Sequence, residues 1–418
     1  MMRIPNRLLN RQLNRLLCVG AAGAALAAGQ EATSGFSMPV TLAGGAMYTQ
    51  RLQFSDPTGS AYTAGFRAMF YPTIRLGQNW FGYAAVQVRE TPYVYYDAYD
   101  PNHQFNVDTL QAFIGYSVQR GQTAMVIKAG RLTSAFGSFP LRYDDAENFL
   151  LDQPLSYITD VPLRHDQLPC GTADLRAQFY GFVANSCGGT RGGGPGLVPA
   201  TLYGLPGIEA DFSISKLDAR VQVTSGSPAS PQSLTRAGQY AQWTAGGGYS
   251  IRQGFRIGVS GFRGPYLDQN LSALLPPGTT VRSYPASAAG IDTQWARGRW
   301  RLNAELQRFW FDSPKFTVSP SFTSGYVEAK SVITPRLYLS TRAGWLSTGR
   351  VSDTSGASAS SFAPALSSYE LGGGYWLGRN ELIKASYEWL HLAGSSGTRT
   401  NVLGVEFVVK LNSPAWSF

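Results

Sequence analysis

Residues Arg299–Gln307 read RWRLNAELQ. Trp300, Leu302, Ala304 and Leu306 alternate with Arg301, Asn303, Glu305 and Gln307, a two-residue period that specifies a strand with one apolar and one polar face. The same pattern recurs on either side. In Tyr240–Arg252, Ala241, Trp243, Ala245, Tyr249 and Ile251 oppose Gln242, Thr244, Ser250 and Arg252. In Leu337–Trp345, Leu337, Leu339 and Trp345 oppose Tyr338, Ser340 and Arg342, and in Phe66–Arg75, Phe66, Phe70 and Ile74 oppose Arg67, Tyr71 and Arg75.

Sixteen such segments are expected, at about 40–53, 62–76, 80–94, 106–119, 123–132, 206–216, 219–226, 239–252, 255–265, 286–297, 299–311, 323–333, 336–347, 367–377, 381–392 and 400–410. The links between them sort by parity. Each link from an even segment to the next odd one is tight: Gly77-Gln78-Asn79, Arg120-Gly121-Gln122, Leu217-Asp218, Gln253-Gly254, Gly298, Thr334-Pro335 and Gly378-Arg379-Asn380. The other links are longer, and most are rich in Gly, Ser or Pro. A chain with short turns at one end and loops at the other, and an even strand count, is expected to be a transmembrane antiparallel β-barrel, an all-β fold of about 16 strands.

Composition agrees with one face in hydrocarbon and one in water. Only 15% of the 418 residues are charged, 13% are aromatic, 47 are Gly, and mean hydropathy is −0.13. No run of eighteen apolar residues occurs, which excludes helical spans. Arg3, Arg7, Arg11 and Arg15 precede the apolar run Leu16–Ala28, which holds an A-x-A site at Ala25-Leu26-Ala27. Residues 1–27 are therefore expected to be a signal peptide and 28–418 the barrel domain. Arg15 lies three residues before Cys18, and most of the apolar run follows that cysteine, which argues against lipidation. The mature chain would be only mildly basic, which suggests no nucleic-acid partner. Its two cysteines, Cys170 and Cys187, are expected to form one disulfide. His103, His165 and His391 are far apart in sequence and no C-x-x-C is present, so neither a metal nor another cofactor is expected.

The chain ends Trp416-Ser417-Phe418, and a terminal Phe with an aromatic two residues earlier resembles the C-terminal signature of bacterial outer-membrane barrels. Pro414 cannot donate to a ladder, so the last strand should stop near Lys410 and leave a short tail. The third loop, 133–205, is far longer than the others. This arrangement resembles the sixteen-stranded general porins, whose third loop folds into the lumen and forms the constriction. Gly130-Arg131-Leu132-Thr133-Ser134-Ala135-Phe136-Gly137 also resembles the G-[RK]-x-x-x-x-F-G exit of strand five in phosphate-selective-type porins. The run Phe149–Ile158 (FLLDQPLSYI) would be an exposed patch in water, so the loop should pack against something. Its candidate constriction residues are Arg142, Asp144, Asp145, Glu147, Asp152 and Arg164, accompanied by His165 and Asp166.

Alternation assigns Arg67, Arg75, Arg89, Lys128, Arg220, Arg252, Arg256, Arg301, Lys330, Arg342 and Lys384 to the inner wall. Inward acids are Glu209, Asp211, Asp292, Glu305, Glu328, Glu370, Glu388 and Glu406. Basic groups lead modestly, so a weak anion preference is expected; the predominance of Arg over Lys also fits a coding preference. The resemblance implies an outer-membrane porin in contact with lipid, a passive channel for small hydrophilic solutes or ions, and a homotrimer. The alternative is a barrel lipase or protease using His165 or His103, for which no Ser lies in a recognisable motif. The chain is too short for a 22-stranded receptor with a plug.

Overall fold

The computed structural model describes residues 34–50, 62–91, 104–179, 196–200, 204–227, 230–231, 241–393, 399–412 and 416–417. Within these, sixteen antiparallel strands form the wall: β1 (Val40–Gln50), β2 (Tyr62–Phe70 continued by Thr73–Leu76), β3 (Trp80–Thr91), β4 (Gln104–Arg120), β5 (Thr123–Leu132), β6 (Leu205–Ile214), β7 (Leu217–Ser227) and β8 (Ala241–Arg252). They continue with β9 (Phe255–Pro265), β10 (Pro285–Arg297), β11 (Trp300–Phe311), β12 (Ser321–Val332), β13 (Leu337–Thr348), β14 (Leu366–Trp376), β15 (Glu381–Leu392) and β16 (Arg399–Leu411). Each strand pairs with its sequence neighbour, and β1 pairs with β16 from Val40↔Leu411 to Gln50↔Asn401. That last ladder closes the sheet and gives the edge backbone groups of β1 and β16 partners, as hydrocarbon requires.

Side-chain direction follows the two-residue period. On β11, Trp300 and Leu306 face outward at 55% and 42% exposure, while Asn303, Glu305 and Gln307 are buried inside. On β13, Leu339 and Trp345 face out; Tyr338, Ser340 and Arg342 face in. Tyr387 and Trp389, near the loop end of β15, stack edge to face with ring centroids 4.5 Å apart. The short turns lie where Gly and Pro punctuate the sequence; Gly254 and Gly298 supply the positive φ of their turns. One turn is displaced from its expected position. β6 ends at Ile214, the turn is Ser215-Lys216 with Ser215 at φ 55°, and Leu217 already pairs with Ile214 and Tyr249. Leu217 faces outward beside those apolar partners, and that lateral match moves the turn from Leu217-Asp218.

At the short-turn rim, Gly35–Ser37 pairs with Thr73–Arg75 and with Trp416–Ser417, so the residues beyond β16 rejoin the sheet. At the loop rim, Leu163, Leu168 and Leu175 of the third loop share a buried apolar cluster with Tyr266, Leu271, Val281, Phe316, Val351 and Phe362 from the later loops. Helix α1 (Thr172–Phe179) is tied to this cluster by its first backbone N–H, which donates to Asp353 Oδ2 at 2.9 Å. The signal segment 1–27, Cys18, Cys187 and His103 lie outside the described residues.

Replacing Leu306 by Arg puts a charge on the outer face near the middle of β11. It should destabilise the barrel in lipid vesicles by about 2–4 kcal/mol, read from denaturant titration of the folded fraction.

Candidate constriction site

The third loop leaves β5 through the stretch singled out in the sequence. Gln222 on β7 holds its start with both ends of one amide: Nε2 donates to Thr133 O at 2.6 Å, and Oε1 accepts from Ala135 N at 2.9 Å. Phe136 is fully buried, packed edge-on against Phe262 and Phe309. Gly137 follows at φ 76°, and a side chain there would collide with the Tyr157 hydroxyl. The Phe-Gly pair thus has a physical cause: an aromatic anchor, then a left-handed bend under close approach.

Glu305, inward on β11, gathers the bend. Its Oε1 accepts from Ser138 N (3.0 Å), Ser138 Oγ (2.7 Å), Phe139 N (2.7 Å) and Tyr326 Oη (2.8 Å). Its Oε2 accepts from Tyr157 Oη (2.7 Å) and Gln307 Nε2 (2.8 Å). Six donors thus converge on this one buried carboxylate. Burial, followed by the Glu305 charge, pushes the Tyr157 hydroxyl well above its usual range, so it remains a donor.

The next span is fixed by an Arg-Glu-Arg stack. Arg142 of the loop donates to Glu328 Oε1 at 2.6 Å and to Tyr326 Oη at 2.9 Å. Arg342 on β13 donates to Glu328 Oε2 at 2.6 Å and 3.0 Å, to Asp152 O at 2.6 Å and to Asn148 Oδ1 at 3.0 Å. Burial works against the Arg142 charge, but Tyr326 and Glu328 more than offset it, and its pKa rises. Glu370 accepts from the backbone N–H groups of Leu151 and Asp152. Farther along, Arg67 grips Asp145 at 2.5 and 2.9 Å, Lys384 donates to Asp145 O at 2.7 Å, and Lys410 pairs with Glu147 at 2.9 Å. Burial drives the Asp145 carboxyl up while Arg67 opposes it. Asp144 accepts from Tyr71 Oη. Wall residues from β2, β7, β9 and β11 to β16 therefore hold one loop inside the barrel.

The sequence-derived site residues separate into two groups. Of the loop charges, Arg142, Asp144, Asp145 and Glu147 are each engaged by the wall, and Arg164 pairs with its neighbour Asp166 at 2.8 Å. Asp152 is buried, its backbone bonded to Arg342 and Glu370. Of the wall cations, Arg67 and Arg342 serve as loop anchors, Lys128 pairs with Glu209 (2.6 Å) and Asp211 (2.5 Å), and Arg256 pairs with Asp218 and Asp292. Arg75, Arg89, Arg220 and Arg301 are half-buried on the inner face. The His165 ring lies 3.9 Å from Asp268. Gln222, Ser138, Asn148, Tyr157 and Tyr326 carry much of the site and were not singled out by sequence; membership of Tyr157 in the apolar loop run was the one signal available.

Solved structures share this architecture. The anion-selective porin from Comamonas acidovorans aligns over 90% of this chain and 100% of its own, with TM-score 0.53 and 10% identity. The outer membrane channel DcaP of Acinetobacter baumannii aligns over 92% and 100%, with TM-score 0.53 and 12% identity. Salmonella typhi OmpF, in a complex with daunomycin, gives 90%, 97%, 0.52 and 10%. No protein-family model and no curated protein sequence matches the chain. The protein has the fold of the outer-membrane porins: a closed sixteen-stranded transmembrane β-barrel with a long third loop turned inward.

Glu305→Ala strips acceptors from two backbone N–H groups and three hydroxyls. The loop should loosen by about 3 kcal/mol or more while the barrel persists. Trypsin should then cut at Arg142, which is buried in the intact protein.

Proposed function

We propose that this protein is a passive diffusion channel of the bacterial outer membrane for small hydrophilic solutes, with a weak preference for anions. The observation that carries the reading is the fastening of the third loop to the inner wall through Glu305, Glu328 and Arg342, an arrangement suited to a fixed constriction. Solute would enter from the loop rim, pass the loop and leave at the short-turn rim. Selectivity would come from width and fixed charge, with no catalytic chemistry. The inward cations Arg67, Arg75, Arg89, Lys128, Arg220, Arg256, Arg301 and Arg342 form the proposed pore wall, with the wall-engaged loop charges at its narrowest part. Export through residues 1–27, a Cys170–Cys187 disulfide and assembly as a homotrimer in outer-membrane lipid belong to the same proposal.

Purified protein in planar bilayers should give discrete conductance steps; a silent, sealed barrel would overturn the reading. Arg301→Glu should shift the reversal potential in a salt gradient toward cation preference with the step size largely kept. Arg342→Glu should behave differently, giving noisy, enlarged steps, because it places a carboxylate against Glu328 and Glu370 and frees the loop.

A further inference from the structure

Arg301 and Lys330 face each other directly across the β11–β12 ladder, both on the inner face and both half-buried. Like charges at directly opposite positions destabilise a sheet. Among the described residues neither cation makes an ion pair. The surrounding acids are already engaged: Glu328 by Arg142 and Arg342, Glu147 by Lys410, Glu406 by Lys384, and Glu370 by Arg342 and the loop backbone. Aromatic faces hold the pair instead. Arg301 Cζ lies 5.0 Å and Lys330 Nζ 4.7 Å from the centroid of Phe149, and Lys330 Nζ lies 3.8 Å from that of Tyr338. Such contacts attract the cations, and the carboxylates nearest the pair, Glu147 and Glu328, are each held by another cation, so the two positive charges stand side by side with no ion-pair partner of their own.

We propose that Arg301 and Lys330 form a binding site for a small organic monocarboxylate. The guanidinium offers a planar fork of N–H donors to a carboxylate, and the neighbouring ammonium supplies a point charge for the second oxygen. One bound carboxylate relieves the like-charge contact that the ladder enforces. Phe149 and Tyr338 supply an apolar border for the organic part, while the nearby Glu147 and Glu328 disfavour a second negative charge on the ligand. The inference deepens the channel reading and rests on it for access, since the pair faces the lumen. It also separates Arg301 from Arg342, whose guanidinium is filled by loop and wall acceptors.

The test is calorimetry of the full chain in detergent with benzoate, acetate and inorganic phosphate, alongside bilayer recordings. Benzoate should bind more tightly than acetate, and acetate more tightly than phosphate. The Arg301→Gln/Lys330→Gln double variant should lose at least about tenfold in benzoate affinity, the size expected for a charge-assisted hydrogen bond. Lys330→Arg should retain binding. Each single Gln variant should also melt higher than the wild type without ligand, which shows that it folds and that the repulsion is real. Equal benzoate affinity in wild type and double variant, no benzoate binding by the wild type, or tighter binding of phosphate than of benzoate each overturns the proposal. A conducting barrel with variant-insensitive benzoate binding sinks the site and leaves the channel; a silent barrel with variant-sensitive binding sinks the channel and leaves the site.

Discussion

Closure of β1 on β16 is the constraint on which the other features depend. A sheet in hydrocarbon with an open edge would leave a row of backbone N–H and C=O groups unsatisfied, each costing several kcal/mol. The ladder from Val40↔Leu411 to Gln50↔Asn401 removes that edge. Once the sheet is closed, every strand has one side in lipid and one in the lumen, and the polar side must be satisfied internally. The lumen is therefore rich in buried acids, cations and amides, and a polypeptide loop threaded among them is a ready partner for each.

The loop and the wall solve each other's problem. Glu305, Glu328 and Glu370 are buried and need donors, and a bent loop has backbone N–H groups with no ladder to join. Ser138, Phe139, Leu151 and Asp152 supply those N–H groups. Arg142 and Arg342 sandwich Glu328, so a buried charge triad with good geometry replaces three isolated charges. Phe136, Phe139 and Phe149 fill the spaces between the polar anchors, and the rings of Phe139 and Phe149 lie close to cations.

Much of the wall was legible because a barrel strand is read by two neighbours and two solvents. The alternation in Arg299–Gln307 fixes which side chains meet lipid, and the Gly- and Asn-bearing links fix the short turns. The misplaced turn after β6 shows the limit: Leu217 and Lys216 do not differ in local turn chemistry enough to locate the bend, and the lateral pairing of Leu217 with Ile214 and Tyr249 decides it. The constriction was legible only in outline. The apolar run at Phe149–Ile158 and the Phe136-Gly137 pair announced a buried loop. Alternation placed Arg301 and Arg342 on the same face, yet only Arg342 meets Asn148 and Asp152, residues more than 150 positions away in sequence. No local pattern encodes such a pairing.

That distance has a kinetic meaning. The bond from Lys384 to Asp145 spans 239 positions and the pair Lys410–Glu147 spans 263, so the loop's far anchors do not exist until nearly the whole chain has been assembled into the sheet. Contacts of such long separation form late, after the entropy of closing the intervening chain has been met. The β1–β16 ladder joins residues still farther apart, so sealing of the wall and seating of the loop's far end belong to the same late stage of assembly. The lumen therefore reaches its final width only as the wall itself is sealed, and a fully narrowed lumen is a mark of a finished molecule.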